Sequence, residues 1–495
     1  MQAALRPSQT ESREPSAASP LFPPQLLARL DKNGPRYTSY PTADRYHGGF
    51  GEQEYRQALQ QRRATAPAEP LSLYVHIPFC ESVCYYCACN KVVTRHHDRA
   101  ARYLDALAAE IELHVRELGE GVPVSQLHFG GGTPTFLSDE ELSRLMENLR
   151  RAFRFEPDAE ISIEVDPRTA TPERLAHMRE LGFNRLSFGV QDFDPRVQAA
   201  VHRMQSFEDV RALMQSARAL GYASVNVDLI YGLPLQTTES FARTIAQVIA
   251  LRPDRIALYA YAHLPARFKP QRRINEADLP DRETRVGLLS AAIDGFLKQG
   301  YAYIGMDHFA LETDALAIAK RKGELHRNFQ GYSTQPDRDL VALGVSAIGR
   351  IGNTYSQNAK VLDEYYAAIE AGRFAVERGL ALSTDDLVRR EIIMDIMCQG
   401  RVDYSRIEAR HGLRFADSFG PELLQMANLA ELGLVNLHPG ELQVTGLGWY
   451  FVRAVAMAFD GYLRARAPRP ATRGSSEPRR RAEPGGAHSA NFSRR

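Results

Sequence analysis

Apolar runs long enough to cross a membrane as a helix are missing from this sequence, and so is any excess of charge of one sign: 61 Lys and Arg face 60 Asp and Glu, a formal net charge of +1. The first absence excludes a helical membrane span. The second argues against a general nucleic-acid binder, which needs a basic surface, while leaving room for a local group of arginines that serves an anionic small molecule. The amino-terminal stretch lacks the apolar segment that a secretory signal carries. Cysteine is scarce as well, with five in 495 residues. Without a secretory signal, a large enzyme-sized chain is not expected to depend on disulfide staples. With 44% apolar and 24% charged residues, the chain reads as an ordinary globular protein with length for a large domain and a smaller one.

Four of those five cysteines, Cys80, Cys84, Cys87 and Cys89, fall inside ten residues, and the fifth, Cys398, lies more than three hundred positions away. The quartet reads Cys-x3-Cys-x2-Cys-x-Cys and follows the apolar run Leu71 to Phe79, which places the thiols on a loop just past a strand. Thiolates at this spacing call for a soft metal. Structural zinc favours two short-spaced pairs set apart along the chain. A single compact knot suits an iron–sulfur cluster better, since four-iron clusters take one thiolate per iron. Cys89 follows Cys87 by two residues, which makes simultaneous ligation by both awkward. Cys398 sits in the apolar helical run Ile392 to Cys398 and is expected to be a packing thiol.

A strand-then-helix pattern repeats along the middle of the chain. The spacing predicts strands at Leu71 to Ile77, Gln126 to Phe129, Ile161 to Val165, Arg185 to Val190, Ser224 to Ile230 and Arg255 to Tyr261, with amphipathic helical runs between them. Ser138 with Glu141 makes a capping box, and Thr171 followed by Pro172 opens the next helix. Six such units imply an α/β fold with a parallel sheet and helices outside, doubly wound or curled into a barrel, with ligands gathered where the strands end. Tyr301 to His308 is expected to extend the sheet. The stretch from about 360 to 462 is expected to be mainly helical and winged-helix-like, with short strands at Leu434 to Leu437 and Leu442 to Val444. Residues 1–24 and 466–495 have compositions that do not support a packed core.

Polar groups collect at the strand ends. Gly130, Gly131 and Gly132, followed by Thr133 and Pro134, allow backbone to approach a ligand closely. They lack the lysine and the immediate helix that a phosphate loop needs. Glu164 and Asp166 end the third strand, Gln191 and Asp192 follow the fourth, and Asp228 lies on the fifth. Repeated at one level of a sheet, such groups point to a polar ligand. His76 on the first strand is expected to be a satisfied polar residue beneath the cysteine loop, and His96 and His97 to lie on the surface.

The Cys-x3-Cys-x2-Cys loop after a first strand, the Gly-Gly-Thr-Pro turn after the second and the polar strand ends resemble the radical S-adenosylmethionine (SAM) enzymes. The segment Gly34-Pro35-Arg36-Tyr37-Thr38-Ser39-Tyr40-Pro41-Thr42-Ala43, the extra Cys89 and Gly305-Met306-Asp307-His308-Phe309 narrow the resemblance to the oxygen-independent coproporphyrinogen III oxidase (dehydrogenase) family, over about residues 30 to 460. The resemblance implies a partial (β/α)6 radical SAM barrel over 71–355, a substrate-covering segment over 25–70 and a helical carboxy-terminal domain over 356–465. It implies that Cys80, Cys84 and Cys87 ligate one [4Fe-4S] cluster and that Cys89 does not. Tyr86, Gly132, Thr133, Gln191, Arg203, Asp228 and Ala262 would hold a first SAM. Tyr74, Gly131, Glu164 and Ile348 would hold a second. The implied reaction is the oxidative decarboxylation of two propionates of coproporphyrinogen III to vinyl groups in haem biosynthesis. Also implied are a cytoplasmic monomer, no nucleic-acid partner and a flavodoxin-like electron donor. Arg36 and Tyr37 are the expected substrate contacts, since a tetracarboxylate needs cations and amphipathic walls. A haem-binding relative that has lost the reaction would lack the Arg36 to Pro41 segment. A zinc-stabilised interaction protein would lack the brown cluster chromophore.

Overall fold

The computed structural model describes residues 34–465, together with Leu26 and Leu30. The expected extensions 1–24 and 466–495 lie outside these residues. The main sheet has twelve strands: β1 (Leu71–Ile77), β2 (Val122–Gly131), β3 (Phe153–Val165), β4 (Arg185–Gln191), β5 (Ser224–Tyr231), β6 (Arg255–Ala260), β7 (Tyr301–Gly305), β8 (His308–Leu311), β9 (Leu340–Leu343), β10 (Ile348–Ile351), β11 (Thr354–Asn358) and β12 (Val376–Ala381). Their order is β12-β11-β10-β9-β1-β2-β3-β4-β5-β6-β8-β7. From β9 through β6 the pairing is parallel, and both flanks continue antiparallel. The six expected strands are present, joined by helices outside.

The alternation of side chains along a strand fixes which residues meet. Leu71, Leu73, Val75 and Ile77 are completely buried on the helix side of β1, so Ser72, Tyr74 and His76 point the other way. Register then aligns Tyr74 with His128, Glu164 with Ser187, Ser187 with Asn226 and Gly189 with Asp228. Each barrel strand thus presents an apolar face to the helices and a polar face to the lumen. The helices follow the same logic: in Asp139–Ala152, Leu142, Leu145, Met146 and Leu149 form the buried stripe. Its capping box is present, with Ser138 Oγ accepting from Glu141 N and Glu141 Oε2 accepting from Ser138 N.

Tyr301 to His308 extends the sheet as expected, as a hairpin turned at Met306–Asp307. Two other readings change. Leu340–Leu343, for which no strand was expected, is the seventh parallel strand and pairs with β1; it is buried on both faces and has no alternation to betray it. The expected domain boundary after residue 355 falls inside β11, and β12 still belongs to the main sheet, so the helical unit starts at helix Thr384–Gln399. That unit has the expected hairpin, Val435–His438 with Glu441–Val444, plus a third strand, Arg401–Asp403. Cys398 is buried there. No helix among the described residues is long and apolar enough to cross a membrane.

Candidate active site

The cysteine loop is clamped to the glycine turn by backbone hydrogen bonds. Gly132 N donates to Ile77 O, Thr133 N to Phe79 O and Thr94 N to Cys80 O. A Cβ at residue 132 would sit 2.6 Å from Pro78 O, so glycine is what lets the two loops touch. Cys80 and Cys84 are buried, Cys87 is half-buried and Cys89 is exposed. Donors surround the sulfurs: Thr133 Oγ1 lies 3.3 Å from Cys80 Sγ, while Arg203 Nη1 and Arg168 Nη2 lie 3.5 and 3.6 Å from Cys84 Sγ. Burial pushes the Cys80 thiol up to about 11. A hydrogen bond from Cys89, opposed by burial and aided by the Lys91 ammonium, lowers Cys87 to about 6. Cationic surroundings of this kind favour thiolates.

Among the described residues no three His, Cys, Asp or Glu side chains converge on a point that one ion could fill. A cluster takes each thiolate on a different iron, and three thiols on one loop with hydroxyl and guanidinium donors at two of the sulfurs fit that soft donor set.

Beside Cys84 stands a buried ion pair. Arg203 Nη1 and Nη2 each lie 3.2 Å from an Asp166 oxygen, and Nη2 also donates to Gly189 O at 2.5 Å. Burial alone would raise the Asp166 carboxyl, but Arg203 and Arg168 bring it below its ordinary value. Of the Arg203 donors, Nε is buried without a partner, as is Gln191 Oε1, and a Cβ on Gly189 would sit 3.0 Å from both of these side chains. An unpartnered donor and an unpartnered acceptor on these two side chains fit a zwitterionic ligand such as the methionine end of SAM. Asp192, by contrast, is spent internally on Gln236, Thr244 and the Asp194 amide.

The far side of this site rests on a residue that sequence reading missed. Gln271 is buried, and its Nε2 donates to Tyr86 O and Ala262 O while its Oε1 accepts from Leu264 N. It staples the loop of Tyr86 to that of Ala262, and nothing local distinguishes it from a surface glutamine. Gln271→Ala leaves these groups unpaired. We expect a loss of about 1–3 kcal/mol in denaturant unfolding and a weaker affinity for SAM.

Tyr74, Glu164, Asp228 and Ile348 line one cavity of about 410 Å³ inside the barrel. Glu164 Oε2 accepts from Gly131 N at 3.2 Å, and its Oε1 lies 3.5 Å from His128 Nε2. Tyr74 stacks on His128 and meets His76 Nδ1 at 3.1 Å. His76 Nε2 is bound to Asn90 O, and burial lowers the imidazole pKa, so His76 is the satisfied residue expected. Ser187 and Asn226 donate to Asp228, whose carboxyl is raised to about 6 by burial and then by Glu164. Beneath these expected residues lies a polar layer that went unread, including Gln126, Glu160, Arg185 and Arg255. Its signal was the polar alternation on strands whose other face is apolar. His97 is exposed and stacks on Phe136.

The two expected substrate contacts part company. Arg36 is ion-paired with Asp307 and lies over the Tyr259 ring at 4.8 Å, at the cavity edge. Tyr37 is fully buried and donates to Asp460 at 2.9 Å. It is not among the residues that line the cavity.

The chain matches the radical SAM superfamily model over residues 74–248, which takes in the cysteine loop, the glycine turn and β5. It matches the HemN C-terminal domain model over residues 382–451, the helical unit. It is 51% identical over 442 residues to the oxygen-independent coproporphyrinogen III oxidase of Escherichia coli K12, covering 89% of this chain and 96% of that one. It is 48% identical over 440 residues to the enzyme of the same name from Pseudomonas aeruginosa, covering 88% and 95%. The solved structure of E. coli coproporphyrinogen III oxidase (HemN), described as a radical SAM enzyme, superposes with a TM-score of 0.85 at 50% identity, covering 90% of this chain and 99% of that one. Half the residues shared across nearly the whole of both chains, cysteine loop and helical unit included, means that this chain belongs to the oxygen-independent coproporphyrinogen III oxidase family of radical SAM enzymes.

Proposed function

We propose that the chain converts two propionate side chains of coproporphyrinogen III to vinyl groups without oxygen, giving protoporphyrinogen IX in haem biosynthesis. The observation that carries this reading is the near full-length match to enzymes named for that substrate. Radical SAM proteins use a [4Fe-4S] cluster and SAM, and Cys80, Cys84 and Cys87 would hold the cluster here. Bound together, the two supply a hydrogen-abstracting organic radical.

The chain's own residues bind and orient. Arg203, fixed by Asp166 and Gly189 O, keeps Nε for the ligand, and Gln191 keeps Oε1. Tyr86, Gly132, Thr133 and Ala262 complete the first SAM site, with Asp228 available to accept from ribose hydroxyls. A second SAM would meet Tyr74, Gly131, Glu164 and Ile348; three of these four line the cavity, and the fourth bonds Glu164. The lumen around them shields the reacting carbon from bulk water. Arg36 is the substrate contact at the edge. The monomeric state, the cytoplasmic location and the flavodoxin-like donor are carried over from the family resemblance.

The test is anaerobic: reconstitute the protein with iron and sulfide, then supply SAM, reductant, a one-electron acceptor for the substrate radical and coproporphyrinogen III. The expected products are 5′-deoxyadenosine, carbon dioxide and a divinyl tetrapyrrole. SAM cleavage with no vinyl product would overturn the reading.

A further inference from the structure

The floor of the barrel cavity carries chemistry that neither the cysteine loop nor the SAM contacts use. Arg185 and Arg255 both line it, close enough for the Arg255 guanidinium to repel Arg185. Each spends only part of its guanidinium on a carboxylate. Arg185 Nη2 bonds Glu160 at 2.9 Å, and the same Glu160 oxygen also accepts from Thr334 Oγ1. Arg255 Nε bonds both Asp314 oxygens at 3.0 and 3.1 Å, while Asp314 caps the next helix through Leu316 N. Arg185 Nε, Arg255 Nη2, Gln330 Nε2 and His308 Nδ1 are buried without partners, and all four residues line this cavity. Buried polar atoms left unpaired are costly, and four around one cavity mark the place where a ligand's acceptor belongs.

The surrounding charge agrees. His308 is held well below its ordinary pKa by burial, and then by its cationic neighbours Arg327, Arg36 and Arg255. Nearer the cysteine loop, Glu164 and Asp228 make the opposite level acidic. A carboxylate entering the lumen is repelled by the acidic level and drawn to the basic floor, where guanidinium geometry suits it.

We propose that Arg185 and Arg255, with Gln330 and His308, bind a carboxylate of the substrate. One propionate arm of the tetrapyrrole is thereby anchored on the floor, and this selects which other arm stands at the Glu164–Asp228 level. The proposal rests on coproporphyrinogen III being the substrate.

Removing an arginine alone would strand its carboxylate, so the test uses the paired variants Arg255→Met/Asp314→Asn and Arg185→Met/Glu160→Gln, with Arg255→Lys as the conservative control. The first readout needs no cofactor. Coproporphyrin III, the fluorescent oxidised tetracarboxylate, and its tetramethyl ester are titrated into the full chain. Wild type is expected to prefer the acid by at least 10-fold, the paired variants to lose that preference and Arg255→Lys to keep part of it. The second readout is turnover, with KM for coproporphyrinogen III raised at least 10-fold and KM for SAM unchanged. Equal binding of acid and ester by wild type, or wild-type behaviour of both folded paired variants, would overturn the proposal. Wild type that prefers the acid but forms no vinyl product would count against the proposed activity while supporting the carboxylate site.

Discussion

Cys84→Ser is expected to strip the protein of its iron–sulfur chromophore and to lower SAM cleavage by more than ~100-fold, a factor that loss of an outer-shell partner alone can reach. Cys84 is buried, and two guanidiniums converge on its sulfur. A serine hydroxyl is a hard oxygen donor and binds iron poorly at a place built for soft sulfur. Cys89→Ser is the matched control. Its side chain is exposed and bonds Cys87, so a full cluster is expected to survive with altered stability. Iron and sulfide content, the visible absorption band and its response to SAM are the measurements. A Cys84→Ser protein holding four irons, or a Cys89→Ser protein holding none, would rule out the three-ligand assignment.

The cysteine loop was legible in the sequence because its chemistry is local: four thiols in ten residues need no tertiary contact to be noticed. The first six strands were legible for the same reason, each being an apolar run framed by turn residues and helix caps. The remainder depends on partners distant in sequence. Leu340–Leu343 is an apolar run of four residues whose strand identity comes from β1, well over two hundred positions earlier. Gln271 acquires its role from Tyr86, 185 positions away. Tyr37 was read as a cavity wall because it adjoins Arg36; the bond from its hydroxyl to Asp460, 423 positions on, leaves no trace in the local sequence. The arginines of the cavity floor were visible as letters, but their convergence follows from strand register, which a single sequence does not fix.

Glu110→Ala is expected to have the largest effect on stability. Glu110 interrupts the buried stripe of helix Asp98–Leu118 and is almost fully enclosed. Its Oε2 accepts from Gly344 N at 2.7 Å and Tyr365 Oη at 2.8 Å, and its Oε1 accepts from Asn358 Nδ2 at 2.7 Å. Alanine would leave Gly344 N and Tyr365 Oη unpaired, while Asn358 Nδ2 keeps Gly344 O; at about 1–3 kcal/mol for each lost partner, a loss of about 2 kcal/mol or more is expected at pH 5, where the folded-state carboxyl is protonated. The same bonds set the turn from Gly344 to Ile348. Gly344 and Ser346 hold φ of 97° and 59° there, and Tyr103 Oη ties Val345 N to His76 O. Loosening that turn displaces Ile348 and the floor of β1 beneath Tyr74, so SAM affinity falls along with stability. A pH signature accompanies this. Burial raises Glu110 from 4.5 to about 7, with its three donors opposing the shift. The folded state therefore holds a proton that the unfolded state has released between these values, and the group's contribution to stability falls as pH rises through that window. Glu110→Gln cannot titrate, so its unfolding midpoint is expected to vary less than wild type between pH 5 and 7.5. An unchanged midpoint for Glu110→Ala at pH 5 would show that the network is dispensable.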